Sequence, residues 1–275
     1  MNKKEICGKI IFLIFKSSKK KELIIILQSM LDTSQSSLSL WLNCRPEIQH
    51  RINALLNYQA EYFRLRAQFH RQIQQLQYEF SSQFEPILDK QRTIISTRSI
   101  SEFWLTILKN LDSYDYPIRS RDELCLKYLI DIRCIHEPLG FKLEFHFSPL
   151  NPFFTETILT KTYSIRIEFN ETNPYQVYDG PEIDRCQGCS INWREDSNLT
   201  YEKRRRQPRK SFFDFFSPPI IPAGGIPSMT EDEQLRLEAD IEFSLLLKQR
   251  VLPRAVLYYT GEALSIFDSD ERMSQ

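Results

Sequence analysis

A single amphipathic pattern runs from Pro46 to Ile95 and limits what this chain can fold into. A continuous helix of that length would be roughly 75 Å long, at ~1.5 Å rise per residue. Its apolar side chains follow one another mostly at steps of three or four, which places them on one helix face. Polar residues interrupt the rest of the surface, so the apolar face is a seam that needs a partner. The seam consists of Ile48, Ile52, Leu55, Tyr62, Leu65, Phe69, Ile73, Leu76, Phe80, Phe84 and Ile87.

The seam predicts a two-fold dimer in which this helix packs against the same helix of a second copy, as in a coiled coil. The alternative is a folded-back pair of shorter helices. Pro86 would be its natural break, because a mid-helix proline removes a hydrogen bond and clashes with the preceding turn. No turn signal interrupts residues 47–85, which favours the continuous helix. The dimer residues are predicted to be Ile52, Leu55, Tyr62, Leu65, Phe69, Ile73, Leu76 and Phe80.

Composition excludes several classes of protein. The 275 residues carry 36 Lys and Arg against 36 Asp and Glu, so no overall field attracts nucleic acid or a membrane. Six cysteines without a convincing secretory signal favour reduced thiols inside the cell. The apolar runs 10–15 and 23–27 are each too short to span a bilayer, so no membrane role is expected. The sequence contains no phosphate-binding glycine loop. It also contains no nucleophile and base at the spacing of a known catalytic motif, and we therefore predict that the protein is not an enzyme.

After the long helix the pattern predicts an α+β fold, with a four-stranded antiparallel sheet covered by helices. The predicted helical segments are 103–111, 124–132, 230–251 and 253–264. The predicted strands are 141–147, 159–169, 189–193 and 198–201. The predicted organisation is a lysine-rich leader at 1–45, the dimerisation helix at 46–97, the α+β domain at 98–265 and a short tail at 266–275.

Two local motifs have more than one interpretation. Cys186 and Cys189 supply two zinc ligands where a structural site needs four, so two small residues beside a turn are expected, without metal or cofactor. The basic stretch 203–210 is typical of a nuclear-import signal, a nucleic-acid contact or a solvated loop. No aromatic residue interleaves its charges to stack bases, which favours import. The predicted import residues are Lys203, Arg204, Arg205, Arg206, Arg209 and Lys210.

Five longer motifs occur in one order along the chain. They are EFWLTILKNLD (102–112), LEFHFSPLNPFFTETILTKTY (143–163), YDGPEIDRCQGCSINW (178–193), SFFDFFSPP (211–219) and LPRAVLYYTGEA (252–263). With the preceding helix, they closely resemble the nucleosome assembly protein family of histone chaperones over roughly residues 45–265.

The resemblance implies a dimer through the long helix and an acidic concave underside, below a four-stranded sheet, that holds core histones. It also implies a β-hairpin with the basic stretch at its tip, read by an import receptor, and a protein found in nucleus and cytoplasm. Direct sequence-specific binding of nucleic acid is not expected. From the matched motifs and the later helix, the histone-binding carboxylates are predicted to be Glu144, Glu168, Asp179, Glu182, Asp184, Asp232, Glu238, Asp240 and Glu242.

Three departures from the family pattern remove negative charge. Only residues 91–101 separate the long helix from the FW motif, the start is lysine-rich, and the chain stops soon after Asp268, Asp270 and Glu271. Histones are basic, so weaker histone binding is expected. The alternative is a dimeric adaptor that has lost most histone binding and acts by heterodimerising with longer relatives. A nucleic-acid binder that uses residues 203–210 is a third hypothesis.

Overall fold

The computed structural model of the chain describes residues 46–96, 100, 102–111, 118–171, 173, 177–202, 207–222 and 225–263. Helix α1, Pro46–Ser96, is continuous over 51 residues. It passes through Pro86 without ending, so the folded-back alternative is wrong and the long helix is confirmed. None of the helices described is long and apolar enough to cross a membrane.

The other elements follow α1 in an order that places the sheet between two groups of helices in the sequence. Before the sheet come α2 (Phe103–Lys109) and α3 (Ser120–Leu126). The strands are β1 (Leu129–Glu137), β2 (Gly140–Phe147), β3 (Ile158–Arg166), β4 (Glu182–Gln187), β5 (Tyr201–Glu202) and β6 (Gln207–Pro208). After them come 3₁₀ turns at Phe212–Phe216 and Ile226–Ser228, α4 (Glu231–Leu246), a π-helical turn at Leu247–Val251, a 3₁₀ turn at Leu252–Arg254, and α5 (Ala255–Thr260).

Strands β1 to β4 form one antiparallel sheet in the order β1-β2-β3-β4, which confirms the predicted sheet. Alternate residues of β2 are buried, because side chains of a strand point to opposite faces of its sheet. Phe141, Leu143, Phe145 and Phe147 therefore form the apolar face. The alternation at 141–147 and 159–169 marked these two central strands correctly.

The other two strands of the sheet differ from the prediction. The segment 124–132 was predicted as helix, but α3 ends at Leu126 and β1 begins at Leu129. The segment 189–193 is not a strand, since Trp193 makes only an isolated bridge to Phe154. Strand β4 lies earlier, at Glu182–Gln187. The segment 198–201 contributes only Tyr201, to the separate β5-β6 pair.

The apolar face of the sheet is covered by the 3₁₀ turn Phe212–Phe216. Its phenylalanines at 212, 213, 215 and 216 are all buried, and three of them contact the ring of Phe145. Asp122 of α3 holds this turn in place, accepting hydrogen bonds from the Ser211 hydroxyl at 2.6 Å and from the Phe212 amide at 3.1 Å. The SFF motif therefore packs into the hydrophobic core and is held there by the buried carboxylate of Asp122.

The chain divides into two compact units. In the first, the described residues are 46–63 of α1 together with Glu171 and Asn173. The second comprises residues 64–170 and those from 177 onward, so it combines the rest of α1 with the sheet and its helices.

Within the second unit, polar side chains of α1 contact the sheet region. Two residues donate to backbone carbonyls near strand ends, which would otherwise need water: Arg71 Nε to Ile167 (2.9 Å), and Gln74 Nε2 to Glu137 and Gly140 (3.2 and 3.3 Å). Two others contact side chains: His70 Nδ1 lies 3.1 Å from Tyr178 Oη, and Arg92 Nε lies 3.1 Å from Asp131 Oδ2. This part of the helix thus has a polar face that contacts the sheet region and an apolar face, the seam, that is exposed.

Candidate functional site

The apolar seam of α1 is open to solvent. Of the eight predicted dimer residues, Ile52 is half-buried and the other seven are exposed. Leu55 is 67% exposed and Phe69 is 56% exposed. Contiguous apolar surface of this kind marks an interaction site, because single exposed apolar residues are common but long rows of them are not. The dimer itself stays a prediction.

Three of the nine predicted carboxylates gather at one edge of the sheet, around Arg166 at the end of β3. We call Glu168, Glu182 and Asp184 the edge acidic cluster; all three are exposed. Arg166 lies opposite Glu182 in the β3-β4 ladder and donates a hydrogen bond to it at 2.9 Å. That bond raises the pKa of Arg166, and the charges of Asp184 and Glu168 raise it further. Sequence reasoning did not single out Arg166, although its strand position was visible.

Arginines close to the edge acidic cluster reduce its negative potential. Tyr178 lies near the positive charges of Arg66 and Arg71 and the negative charge of Glu182. Burial raises the pKa of Tyr178, and the two arginines counteract that rise. Asp179, another predicted site residue, is exposed next in sequence. The surface is therefore one of mixed charge, with guanidinium groups close to its carboxylates.

Glu144 has partners in its own sheet. It is half-buried on β2, with Oε1 2.8 Å from Lys142 Nζ and Oε2 3.1 Å from His146 Nε2. Burial alone would raise the pKa of Glu144, but the hydrogen bonds and charges of Lys142 and His146 outweigh burial and lower it. The carboxylate is thus ionised and already neutralised locally, which leaves less of its charge for a partner.

Helix α4 carries the remaining predicted carboxylates. Asp232 and Glu242 are exposed and Glu238 is half-buried. Glu238 and Glu242 are four residues apart, so they share one face of the helix. Asp232 lies in the first turn, behind the N-cap Thr230, where the helix dipole favours negative charge. These three stay predicted binding residues.

Asp240, by contrast, is a core residue. It is 0% exposed, and its Oδ2 lies 2.5 Å from the ammonium nitrogen of Lys161, which is also buried. Its Oδ1 accepts hydrogen bonds from Tyr163 Oη at 2.7 Å and from Cys186 Sγ at 3.2 Å. A carboxylate in this position cannot reach a partner protein, so the prediction of Asp240 as a binding residue is wrong.

The Cys186 and Cys189 pair has a packing role. Burial raises the pKa of Cys186 to about 12, with the Asp240 charge acting in the same direction, so the thiol stays protonated and donates a hydrogen bond to Asp240. The Cys189 sulfur accepts a hydrogen bond from the Thr160 amide at 3.2 Å. Between them, a side chain at Gly188 would collide with the Phe216 carbonyl. Over the described ranges, no three His, Cys, Asp or Glu residues are placed to hold a metal ion.

Four of the six predicted import residues, Lys203 to Arg206, lie outside the described part of the chain. The residues on either side form the antiparallel pair β5-β6. Arg209 is half-buried and donates hydrogen bonds to the carbonyls of Leu199 at 3.0 Å and Asn198 at 2.7 Å. Lys210 is exposed. Arg209 therefore braces the base of this pair.

Comparison with known proteins agrees with this architecture. The nucleosome assembly protein (NAP) family model matches residues 50–99 and 96–262. Nucleosome assembly protein 1-like 1 of Xenopus tropicalis is 31% identical over 90% of this chain and 78% of its own length. The human protein of the same name is 30% identical over the same shares.

Solved structures agree as well. The nucleosome assembly protein of a malaria parasite superposes with a TM-score of 0.56 at 29% identity, over 80% of this chain and 98% of that one. Nucleosome assembly protein 1 of Plasmodium knowlesi gives a TM-score of 0.57 at 29% identity, over 80% of this chain and 99% of that one. With both the sequence match and the fold in agreement, this chain belongs to the nucleosome assembly protein family.

Proposed function

We propose that this protein is a histone chaperone that binds core histones, assists nucleosome assembly and shuttles histones between cytoplasm and nucleus, without catalysing a reaction. The observation that carries the proposal is the family match across residues 50–262. Core histones hold DNA through arginine and lysine contacts to phosphates. Carboxylates on the chaperone take the place of those phosphates, block premature contacts with DNA, and release the histones when DNA competes better.

Two acidic surfaces support this proposal. One is the edge acidic cluster, together with neighbouring Asp179; the other is the face of α4 that carries Glu238 and Glu242, with Asp232 in the first turn of the same helix. The arginines near the first surface and the zero net charge of the chain leave little long-range attraction. Histone binding by this protein therefore depends mainly on short-range contacts, which set specificity more than association rate.

The same proposal includes a homodimer through the seam of α1. A row of exposed apolar side chains along a 51-residue helix is best covered by an identical row, related by a two-fold axis. Because other members of the family carry a corresponding helix, heterodimers with longer relatives are a further consequence.

Removing the charges of the edge acidic cluster tests the surface assignment. The triple variant Glu168→Gln, Glu182→Gln, Asp184→Asn is expected to bind core histones roughly three- to tenfold more weakly in a fluorescence titration, since exposed charge pairs each contribute about 0.2–1 kcal/mol. The control removes three exposed carboxylates elsewhere, by Glu61→Gln, Glu79→Gln and Glu195→Gln. Equal losses in the two variants, or none in the first, would remove this cluster from the binding surface.

We also propose that the basic stretch is read by an import receptor. Replacing Lys203, Arg204, Arg205 and Arg206 with alanine is expected to lower the nuclear fraction of a fluorescent fusion at least twofold, because import receptors recognise clustered positive charge. Arg209 stays unchanged, since it braces the β5-β6 pair. The control replaces the exposed Lys90 and Lys127 with alanine. An unchanged nuclear fraction would assign import to another segment.

A further inference from the structure

A cavity of about 590 Å³ lies in the second unit, between α1, β1 and the turns that follow α4. Most of its wall is apolar, and the side chains that matter here are Phe84 and Leu88 of α1, Ile132 of β1 and Leu252. This volume is in the range of sites that hold small molecules, which are mostly apolar with a few polar groups that fix the ligand. None of the proposed histone-binding carboxylates lines it.

Two buried polar atoms on residues that line this cavity have no hydrogen-bond partner in the described part of the chain. Trp104 is 4% exposed and its indole Nε1, a hydrogen-bond donor, meets no acceptor among the described residues. The same is true of His136 Nδ1. Buried polar groups in native proteins are almost always hydrogen-bonded, and each exception needs an explanation. An unpaired donor and an unpaired imidazole nitrogen in one wall point to a polar ligand group.

The cavity also contains an ammonium group, that of Lys248, for which the described residues supply no counter-charge. No carboxylate of the described chain lies within 4.0 Å of Lys248 Nζ, which instead lies 4.4 Å from the ring centroid of Phe141. The other two cations of the wall have carboxylate partners, since Arg92 and Arg133 both contact Asp131 and Arg92 also contacts Glu85 and Asp89. Burial lowers the pKa of Lys248 and adds to the cost of leaving it unpaired.

We propose that this cavity binds a small amphiphilic carboxylate, whose apolar body packs between Phe84, Leu88 and Leu252 and whose carboxylate meets Lys248 and the indole N–H of Trp104. Charge complementarity favours one carboxylate at this point of the wall, because no carboxylate of the described chain lies at ion-pair distance from Lys248. The ionised carboxylate also accepts the hydrogen bond that Trp104 lacks. The site is separate from histone binding and does not depend on the proposed function.

The test uses decanoate as the probe, below its micellar concentration, with 1-decanol and decyltrimethylammonium as matched neutral and cationic compounds. Isothermal titration calorimetry is expected to give one decanoate per chain, at least tenfold tighter than decanol, and no binding of the cation. Lys248→Met is expected to weaken decanoate binding about tenfold or more, since it removes the charged hydrogen-bond donor that faces the carboxylate. Lys248→Arg should retain most of it, and Lys127→Met, at an exposed site outside the cavity, should have no effect.

A second measurement needs no variant. Decanoate is expected to protect Lys248 of the unmodified protein from acetylation, measured by peptide mass spectrometry, while Lys127 reacts as before. Equal affinity for decanoate and decanol, no decanoate binding, or no protection of Lys248 would each overturn the proposal.

The nearby seam supplies one more outcome. Phe84 and Ile87 belong to both the seam and the cavity wall, so a second copy of the chain is the competing occupant. If decanoate binds only by dissociating the dimer in sedimentation experiments, the second copy fills the cavity and the proposal fails. Binding to an intact dimer supports it.

Discussion

Replacing Asp240 with alanine is expected to lower the free energy of unfolding by about 3–5 kcal/mol, because it leaves Lys161 as an unpaired charge in the core. The Lys161 ammonium is 0% exposed and contacts only Asp240, the Phe215 carbonyl and neighbouring rings among the residues described. The same substitution removes the acceptor for Tyr163 Oη and Cys186 Sγ. Burial and the Asp240 charge both raise the pKa of Tyr163, so its hydroxyl is a donor that would lose its partner.

Urea denaturation measures this prediction, with two comparisons. Asp232→Ala, at an exposed position of the same helix, should change the free energy of unfolding by no more than about 0.5 kcal/mol. The double variant Lys161→Met, Asp240→Leu should lose less than Asp240→Ala, since it leaves no buried charge unpaired. If Asp240→Ala is no more destabilising than Asp232→Ala, the buried ion pair does not hold this part of the core together.

The variant Phe69→Glu, Leu76→Glu is expected to be monomeric at concentrations where the natural chain is a dimer, with the dimer Kd raised at least about 100-fold. Full burial of such a side chain contributes about 1.5–3 kcal/mol, and each glutamate would place a charge in an apolar interface. Sedimentation velocity gives the oligomeric state. Circular dichroism should report an unchanged helix, because the contacts of His70, Arg71 and Gln74 with the sheet region remain.

The control for the seam is Gln68→Glu, Gln75→Glu, which adds the same charge at exposed positions beside it. That variant should keep the dimer, apart from a small change caused by added charge. A clean dimer of the Phe69 and Leu76 variant would mean that another surface joins the two copies.

Periodicity was sufficient to predict the long helix and the two central strands, because in each of them the apolar residues recur at the spacing of a single face. It failed at the sheet edges for two different reasons. In strand β1 a register irregularity between Leu129 and Asp131 leaves Ile130 exposed while Asp131 and Ile132 are both buried, so burial does not follow the alternation of the sequence. Strand β4 is an edge strand on which Glu182, Asp184 and Arg185 are all exposed, and its sequence therefore resembles a loop.

The carboxylates of α4 show why the spacing of residues along a helix could not distinguish a buried carboxylate from an exposed one. Asp240 and Glu242 lie two residues apart on α4, yet the first is buried and the second exposed. One signal was available, since alternation in β3 places Lys161 on the same face as Leu159 and Tyr163. A lysine on the buried face of a sheet requires a buried anion, and only the packing of α4 against that face identifies Asp240 as that anion.

The polar face of α1 was overlooked for a related reason. Glutamine and arginine residues between the seam positions were assigned no partner, and only the apolar seam was predicted to make contacts. The structure uses Arg71 and Gln74 as donors to carbonyls at the ends of strands. Such contacts join residues more than sixty positions apart and leave no periodic pattern in the sequence.

Titration of labelled core-histone complexes with the protein, at about 0.1 M and about 0.5 M salt, tests the histone chaperone proposal most directly. The account predicts saturable binding at both concentrations, with affinity falling by less than about tenfold. Screening within a Debye length of about 10 Å weakens long-range attraction first, and a chain of zero net charge depends little on it. Absence of histone binding even at the lower salt concentration would contradict the account, and would favour an adaptor that acts through heterodimerisation.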